Sequence, residues 1–192
     1  MASQWRAGVI NLAGPLARRV LEKICVEYIQ YVYELLQVAG REFGIANIGY
    51  RAIDSPRIEK RYLAWGVDIT PDYNPFEAGL QFLIDWKKND FLGAEALRRI
   101  KDEGVSRKLV CLALERPLSV FGGEAVLVDG SAVAQSTSGN FGYSVGKSLV
   151  LAYLPSELLG QGAIEVEAFG ERSAASAVRG PAYDPERRKI LC

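Results

Sequence analysis

The stretch Glu124-Ala125-Val126-Leu127-Val128-Asp129-Gly130-Ser131-Ala132-Val133-Ala134-Gln135-Ser136 decides the fold of the second half of the chain. Two β-prone runs, Glu124 to Val128 and Ser131 to Ser136, flank the dipeptide Asp129-Gly130. A two-residue connection of this kind needs positive φ at both positions, which Asp tolerates and Gly adopts freely, so the stretch predicts a β-hairpin. The period-two pattern continues on both sides. Lys108 to Glu115 precedes the hairpin, and Lys147 to Leu154, Ala163 to Phe169 and Arg172 to Arg179 follow it. Six short strands with tight turns and no helical interruption predict a small antiparallel barrel. A domain boundary is expected near Gly104 to Lys108, giving domains 1–106 and 107–192.

Upstream of Ser106 the pattern is different. Pro15 begins a run with Leu16, Val20, Leu21, Ile24 and Cys25 on one face at helical spacing. That pattern continues through Tyr28, Val32, Leu35 and Leu36 until Gly40 offers a C-cap. Val9 to Gly14 reads as a short strand and turn, Gly79 to Trp86 as a strand, and the segment from Gly93 to Gly104 as a helix with Glu95 near its positive end. The chain as a whole is therefore expected to be α+β.

Composition narrows the function. With 49% hydrophobic and 24% charged residues, the 192-residue chain is of ordinary globular type, able to bury roughly 70% of its unfolded surface. Twenty-three basic residues balance 23 acidic ones, so no cationic field gathers phosphate backbones and nucleic acid is not an expected partner. The chain contains no histidine, which removes the usual zinc ligand and every Ser–His or Cys–His catalytic pair. Cys25, Cys111 and Cys192 are odd in number and far apart, so neither a disulfide framework nor a metal site is expected. Cys25 and Cys111 read as buried small hydrophobes, and Cys192 as an exposed thiol. No apolar run reaches bilayer length and Met1 to Gly14 has no signal-peptide core, so the expectation is a non-membrane protein of the cytoplasm or, in a eukaryote, the mitochondrial matrix.

Two glycine patterns are set aside. In Gly139 to Ser148 the glycine that a phosphate loop needs is replaced by Phe141, and the residues after it are strand-like. No dinucleotide fingerprint follows a predicted strand, so no FAD or NAD site of that type is expected.

The chemistry-bearing stretch is Asp54-Ser55-Pro56-Arg57-Ile58-Glu59-Lys60-Arg61-Tyr62-Leu63-Ala64-Trp65-Gly66. Asp54 or Ser55 is placed as N-cap and Pro56 as first helical residue, so Arg57 is expected in the first turn, at the end of the helix dipole that repels cations. An anion should compensate, either an internal carboxylate such as Asp54 or Glu59, or a ligand. Tyr62 and Trp65 are expected on the same helix, where an aromatic ring could stack on a flat heterocycle or join the core.

Gly49 to Leu80, followed by Asp90 to Leu97, closely resembles the folate-binding aminomethyltransferase family. That family includes the glycine-cleavage T-protein and the C-terminal halves of dimethylglycine and sarcosine dehydrogenases. Trp65-Gly66 and Gly142 to Leu154 look more like the dehydrogenase-linked branch, and the likeness runs from about Val9 to Asp184. The resemblance implies tetrahydrofolate as cofactor, with Arg57, Trp65, Tyr62 and Glu59 as its binding set. It also implies a flavoprotein dehydrogenase domain or subunit as partner. Asp85 and Trp86 fall near a pocket-lining position of relatives, and Arg179 and Tyr183-Asp184-Pro185 echo the family's closing segment.

One departure is implied. Ile10 to Lys23 looks like an early helix of the family's first domain and Glu27 to Gly40 like a much later one. The βαβ-type region between them, with the family's catalytic aspartate and much of the folate pocket wall, has no counterpart. The first half is thus expected as the remnant of an α/β folate-binding domain, with low stability or a continuous helix from Pro15 to Val38. No catalytic residue is assigned. Two readings stand: a one-carbon transferase or its C-terminal part, and a noncatalytic module derived from one.

Overall fold

The computed structural model describes residues 12, 16–21, 29–88 and 90–189. Six strands form a closed antiparallel barrel: β1 (Arg107–Leu114), β2 (Ala125–Val128), β3 (Ser131–Gly142), β4 (Lys147–Pro155), β5 (Ile164–Ala168) and β6 (Glu171–Val178), in the spatial order β1-β4-β3-β2-β5-β6. Closure leaves no free edge among them, which removes the usual route to strand-on-strand aggregation.

The decisive hairpin forms as the sequence predicts. Asp129 and Gly130 have φ of 49° and 79°, and β2 and β3 pair on either side of them. Asp129 Oδ1 also accepts a bond from the Ala163 N–H at 2.8 Å. Asp129→Ala keeps the left-handed backbone but loses the acceptor for Ala163 and the short polar side chain that makes this conformation tolerable, and is expected to destabilise the fold by about 1–2 kcal/mol in urea unfolding, while Asp129→Asn changes little. A second tight turn sits at Phe169-Gly170 (φ of 51° and 78°), one residue earlier than the strand limits read from the sequence.

The barrel interior is apolar. Leu112, Leu114, Val126, Val150, Leu154 and Val166 form one buried cluster. Alternate residues of β1 and β4, including Leu109, Cys111, Leu149 and Leu151, form a second cluster with Ile58 outside the barrel wall. Both faces of β4 are covered, which explains its unbroken apolar run.

Residues 50–185 form one compact unit, and residues 1–49 with 186–192 another. In the latter, α1 (Ala17–Leu21) contacts α2 (Ile29–Gly40), and a 3-10 turn, Arg41–Phe43, follows. The expected cap at Gly40 is displaced: Gly40 has φ −84°, and the left-handed residue is Gly44 at φ 70°. Gly40 serves a close approach instead, since a Cβ there would lie 2.6 Å from the Ile45 Cβ. The expected Val9–Gly14 strand, apart from Leu12, and the Lys23–Val26 junction with its continuous helix lie outside the described residues, as do Cys25 and Cys192.

In the larger unit, a 3-10 turn, Tyr50–Ile53, leads into α3 (Asp54–Glu59), and α4 (Ala94–Glu103) runs between Gly93 and Gly104 with Glu95 in its first turn. The strand expected at Gly79–Trp86 does not form; Gln81–Leu83 is a 3-10 turn. Its apolar residues have no neighbouring strand, and Phe82 and Leu83 stay exposed. Cys111 is buried as expected, and desolvation pushes its thiol up to about 11 against a weaker pull from Arg61. Among the described residues no helix is long and apolar enough to cross a membrane.

Candidate functional site

α3 lies on β3 and is fastened there by the Ser55 hydroxyl, which donates to the Phe141 carbonyl at 2.8 Å, and by buried Ile58. The helix starts earlier than Pro56 because the chain enters it from the 3-10 turn, with Ile53 as N-cap and no side-chain cap. Arg57 consequently sits in the last turn, where the helix dipole favours a cation. Its anionic partners come from tertiary contact instead.

Arg57 is nearly consumed by internal bonds. Nε donates to Asp54 Oδ1 at 3.0 Å, Nη1 to the Tyr62 carbonyl at 3.0 Å and Asp68 Oδ2 at 2.8 Å, and Nη2 to Ser138 Oγ at 3.1 Å. Of the five N–H groups of a guanidinium, only one on Nη2 is left, so a two-point clamp on a ligand is not available.

Asp68, which the sequence reading passed over, is the centre of this arrangement. Its carboxylate is fully buried and accepts bonds from Arg57 Nη1, the Ala64 N–H at 2.8 Å and Thr137 Oγ1 at 2.6 Å. Its carbonyl accepts from the Tyr153 hydroxyl at 2.8 Å. Burial, aided by the neighbouring Tyr73 and carboxylates, raises the Tyr153 phenol well above its ordinary range, so it remains a donor. One residue thus joins the 64–69 loop to α3, β3 and β4. The signal available in sequence was a lone Asp between Val67 and Ile69, close behind Arg57.

The expected site residues divide. α3 ends at Glu59, and Arg61 at φ 53° turns the chain away, so Tyr62 and Trp65 lie beyond the helix rather than on it. Arg57 still reaches them through the Tyr62 carbonyl and the Asp68-pinned loop. Both rings face solvent, Tyr62 at 46% and Trp65 at 73% relative exposure. Glu59 turns elsewhere: it is buried, and its Oε1 accepts the Ser144 N–H at 2.6 Å, holding the β3–β4 turn. Its carbonyl receives the Tyr183 N–H, and Lys60 pairs with Asp184, so Tyr183 and Asp184 strap the end of the unit to α3. Arg179 is exposed. Trp86 packs near Phe76 and under the Lys101 ammonium, while Asp85 accepts the Lys87 N–H.

A closed antiparallel barrel of six strands, with a short helix and an Arg–Asp-pinned aromatic loop against its outer wall, defines the class of protein. Two family models match in order: the GCVT N-terminal domain over residues 25–88 and the glycine cleavage T-protein C-terminal barrel domain over residues 107–184. The chain belongs to the glycine-cleavage T-protein (aminomethyltransferase) family. It is 33% identical to the mitochondrial dimethylglycine dehydrogenase of Mus musculus, over 95% of this chain and 26% of that protein. It is 36% identical to an aminomethyltransferase of Symbiobacterium thermophilum, over 84% of this chain and 44% of that protein. The crystal structure of glycine cleavage system aminomethyltransferase T from Bartonella henselae superposes with a TM-score of 0.72 at 27% identity, covering 81% of this chain and 44% of that one. The chain spans about a quarter of the length of the dimethylglycine dehydrogenases it matches.

Proposed function

We propose that this chain is a tetrahydrofolate-binding, aminomethyltransferase-like module of one-carbon and glycine metabolism. It corresponds to the C-terminal part of a dimethylglycine or sarcosine dehydrogenase-type enzyme and is incomplete as a catalyst. The observation that carries the reading is the pinned loop, which presents the Trp65 and Tyr62 rings on a support fixed by Arg57 and Asp68. The fit to a reduced pterin is of one kind. Exposed flat rings suit stacking on its heterocycle or aminobenzoyl ring, and the remaining Nη2 hydrogen of Arg57 suits one acceptor on its edge. Glu59 supports this set by holding α3 against the β3–β4 turn. Bound tetrahydrofolate would accept the one-carbon unit, and a separate flavoprotein dehydrogenase would supply it.

Two observations support incompleteness. Large apolar side chains of the 50–92 segment lie open to solvent, among them Tyr50, Trp65, Val67, Phe82, Leu83 and Leu92. The alignment with mouse dimethylglycine dehydrogenase runs over 230 positions, more than the 192 residues of this chain, so several dozen positions of that relative have no counterpart here. The division into domains 1–106 and 107–192 belongs to the same reading, supported by the limits of the two family models. The mitochondrial relatives and the three dispersed cysteines favour a reducing compartment, the cytoplasm or the mitochondrial matrix.

A noncatalytic interaction module is the second reading, favoured by the internal bonds that occupy Arg57. Isothermal titration with tetrahydrofolate separates the two. Saturable heat is expected from the wild-type chain, with affinity reduced up to about tenfold in Trp65→Ala if ring stacking contributes its usual share. A folded sample that takes up no tetrahydrofolate leaves the interaction module as the function.

A further inference from the structure

A cleft of about 400 Å³ opens on the outside of the barrel between the loop that carries Tyr73 and strand β3. Val133, Ala134 and Pro155 supply its apolar lining, and Tyr73, Ser106, Arg107 and Gln135 supply polar groups. Two of its walls are rigid. The Tyr73 and Tyr153 rings stack with centroids 3.8 Å apart and planes 7° from parallel. The Arg107 guanidinium carbon lies 4.6 Å from the Tyr73 centroid.

Arg107 is held but not saturated. Nε donates to Glu77 Oε1 at 3.0 Å and Nη2 to the Asp72 carbonyl at 3.2 Å. Glu77 is fixed in turn, because its Oε2 accepts the Asn74 N–H and its carbonyl accepts the Leu109 N–H from β1. Among the described residues, Arg107 Nη1 and the Tyr73 and Ser106 hydroxyls have no intramolecular partner. The cleft thus combines one pre-oriented cationic donor and two hydroxyl donors with an apolar floor. A guanidinium whose rotamer is already fixed loses little further freedom on taking a ligand, and the free Nη1 group of a cation matches an anionic oxygen better than a neutral one.

We propose that this cleft binds the carboxylate of a small organic acid, with Arg107 Nη1 as the charged donor and Tyr73 as a second donor. This assignment stands apart from the tetrahydrofolate reading and does not require it. The carboxylate could belong to a free aliphatic acid or hang from an aromatic ring, so the test uses both. The 192-residue chain is titrated, at matched sodium chloride, with glutarate and with benzoate, and followed by amide chemical shifts. Saturable shifts confined to residues 73, 105–107 and 133–137 are expected with at least one probe. Saturation by glutarate identifies an aliphatic acid as sufficient, and saturation by benzoate alone identifies a ring-borne carboxylate.

Arg107→Lys keeps the charge opposite Glu77 but removes the Nη1 group, and should weaken binding about tenfold. Tyr73→Phe removes only a hydroxyl, leaves the ring stack in place and should weaken binding about threefold. If Arg107→Lys does not fold, Tyr73→Phe carries the test. The proposal is overturned if neither probe saturates, if the shifts fall on other residues, or if Tyr73→Phe binds as the wild type does.

Discussion

Asp68→Ala should be among the most damaging single substitutions in this chain, with a loss of about 3–5 kcal/mol in urea unfolding. The cost lies in the groups that Asp68 leaves behind. Asp68 is fully buried, and its carboxylate answers Arg57, the Ala64 N–H and Thr137 together. Without it, Arg57 retains only Asp54 as a charged partner, beside a position closed to water. The Ala64 N–H loses its side-chain acceptor, at roughly 1–3 kcal/mol if it stays buried and unpaired, while the Thr137 hydroxyl falls back on the Leu151 carbonyl at 3.3 Å. Against a total stability of about 5–15 kcal/mol for a typical domain, this change alone could depopulate the native state.

Removing both charges should be milder. Arg57→Leu combined with Asp68→Leu leaves no fully buried ion unpaired, and Asp54, which loses Arg57, is partly open to solvent, so the double variant should lose less than the two single variants together. Intrinsic tryptophan fluorescence and far-ultraviolet circular dichroism across the same urea series read both outcomes. A loss below about 1 kcal/mol for Asp68→Ala would place water in the network and reduce the pair to a surface-type ion pair.

That node is also where sequence reasoning ended. The barrel was legible because its determinants are local: period-two strands, Asp129-Gly130 at one turn and Gly170 at another, with each strand paired to a hydrogen-bonded neighbour. Asp68 depends on contacts with Thr137 and Tyr153, some seventy or more residues away, and no pattern in its own segment reports them. The α3 start was misplaced because Pro56 and Asp54 read as a start signal while the preceding 3-10 turn carries no signature of its own. The run Gly79–Trp86 had strand composition without a strand partner, and an apolar segment alone does not supply the ladder that makes a strand. Arg57, Tyr62 and Trp65 were drawn from cap signals, spacing and resemblance together, and the structure keeps them together by a loop rather than by the helix that spacing suggested.

The second large effect is expected inside the barrel. Leu154 is fully buried in the interior cluster on β4, which pairs with β1 on one side and β3 on the other. Leu154→Ala removes a branched side chain from a position whose backbone is tied by the closed sheet, so the wall cannot move in to fill the space. Cavity-forming changes of this kind lose about 2–5 kcal/mol, and limited collapse puts this one toward the upper part of that range. Leu83→Ala provides the contrast: the side chain is exposed on the 3-10 turn, and its removal should change stability by no more than about 0.5 kcal/mol. Urea midpoints with unchanged slopes would measure both substitutions on one scale. The pair also bears on the uncovered apolar surface of residues 50–92. If Leu83→Ala proved as damaging as Leu154→Ala, that surface would be packed in solution, and the proposed incompleteness of the GCVT N-terminal domain in this chain would lose its structural support.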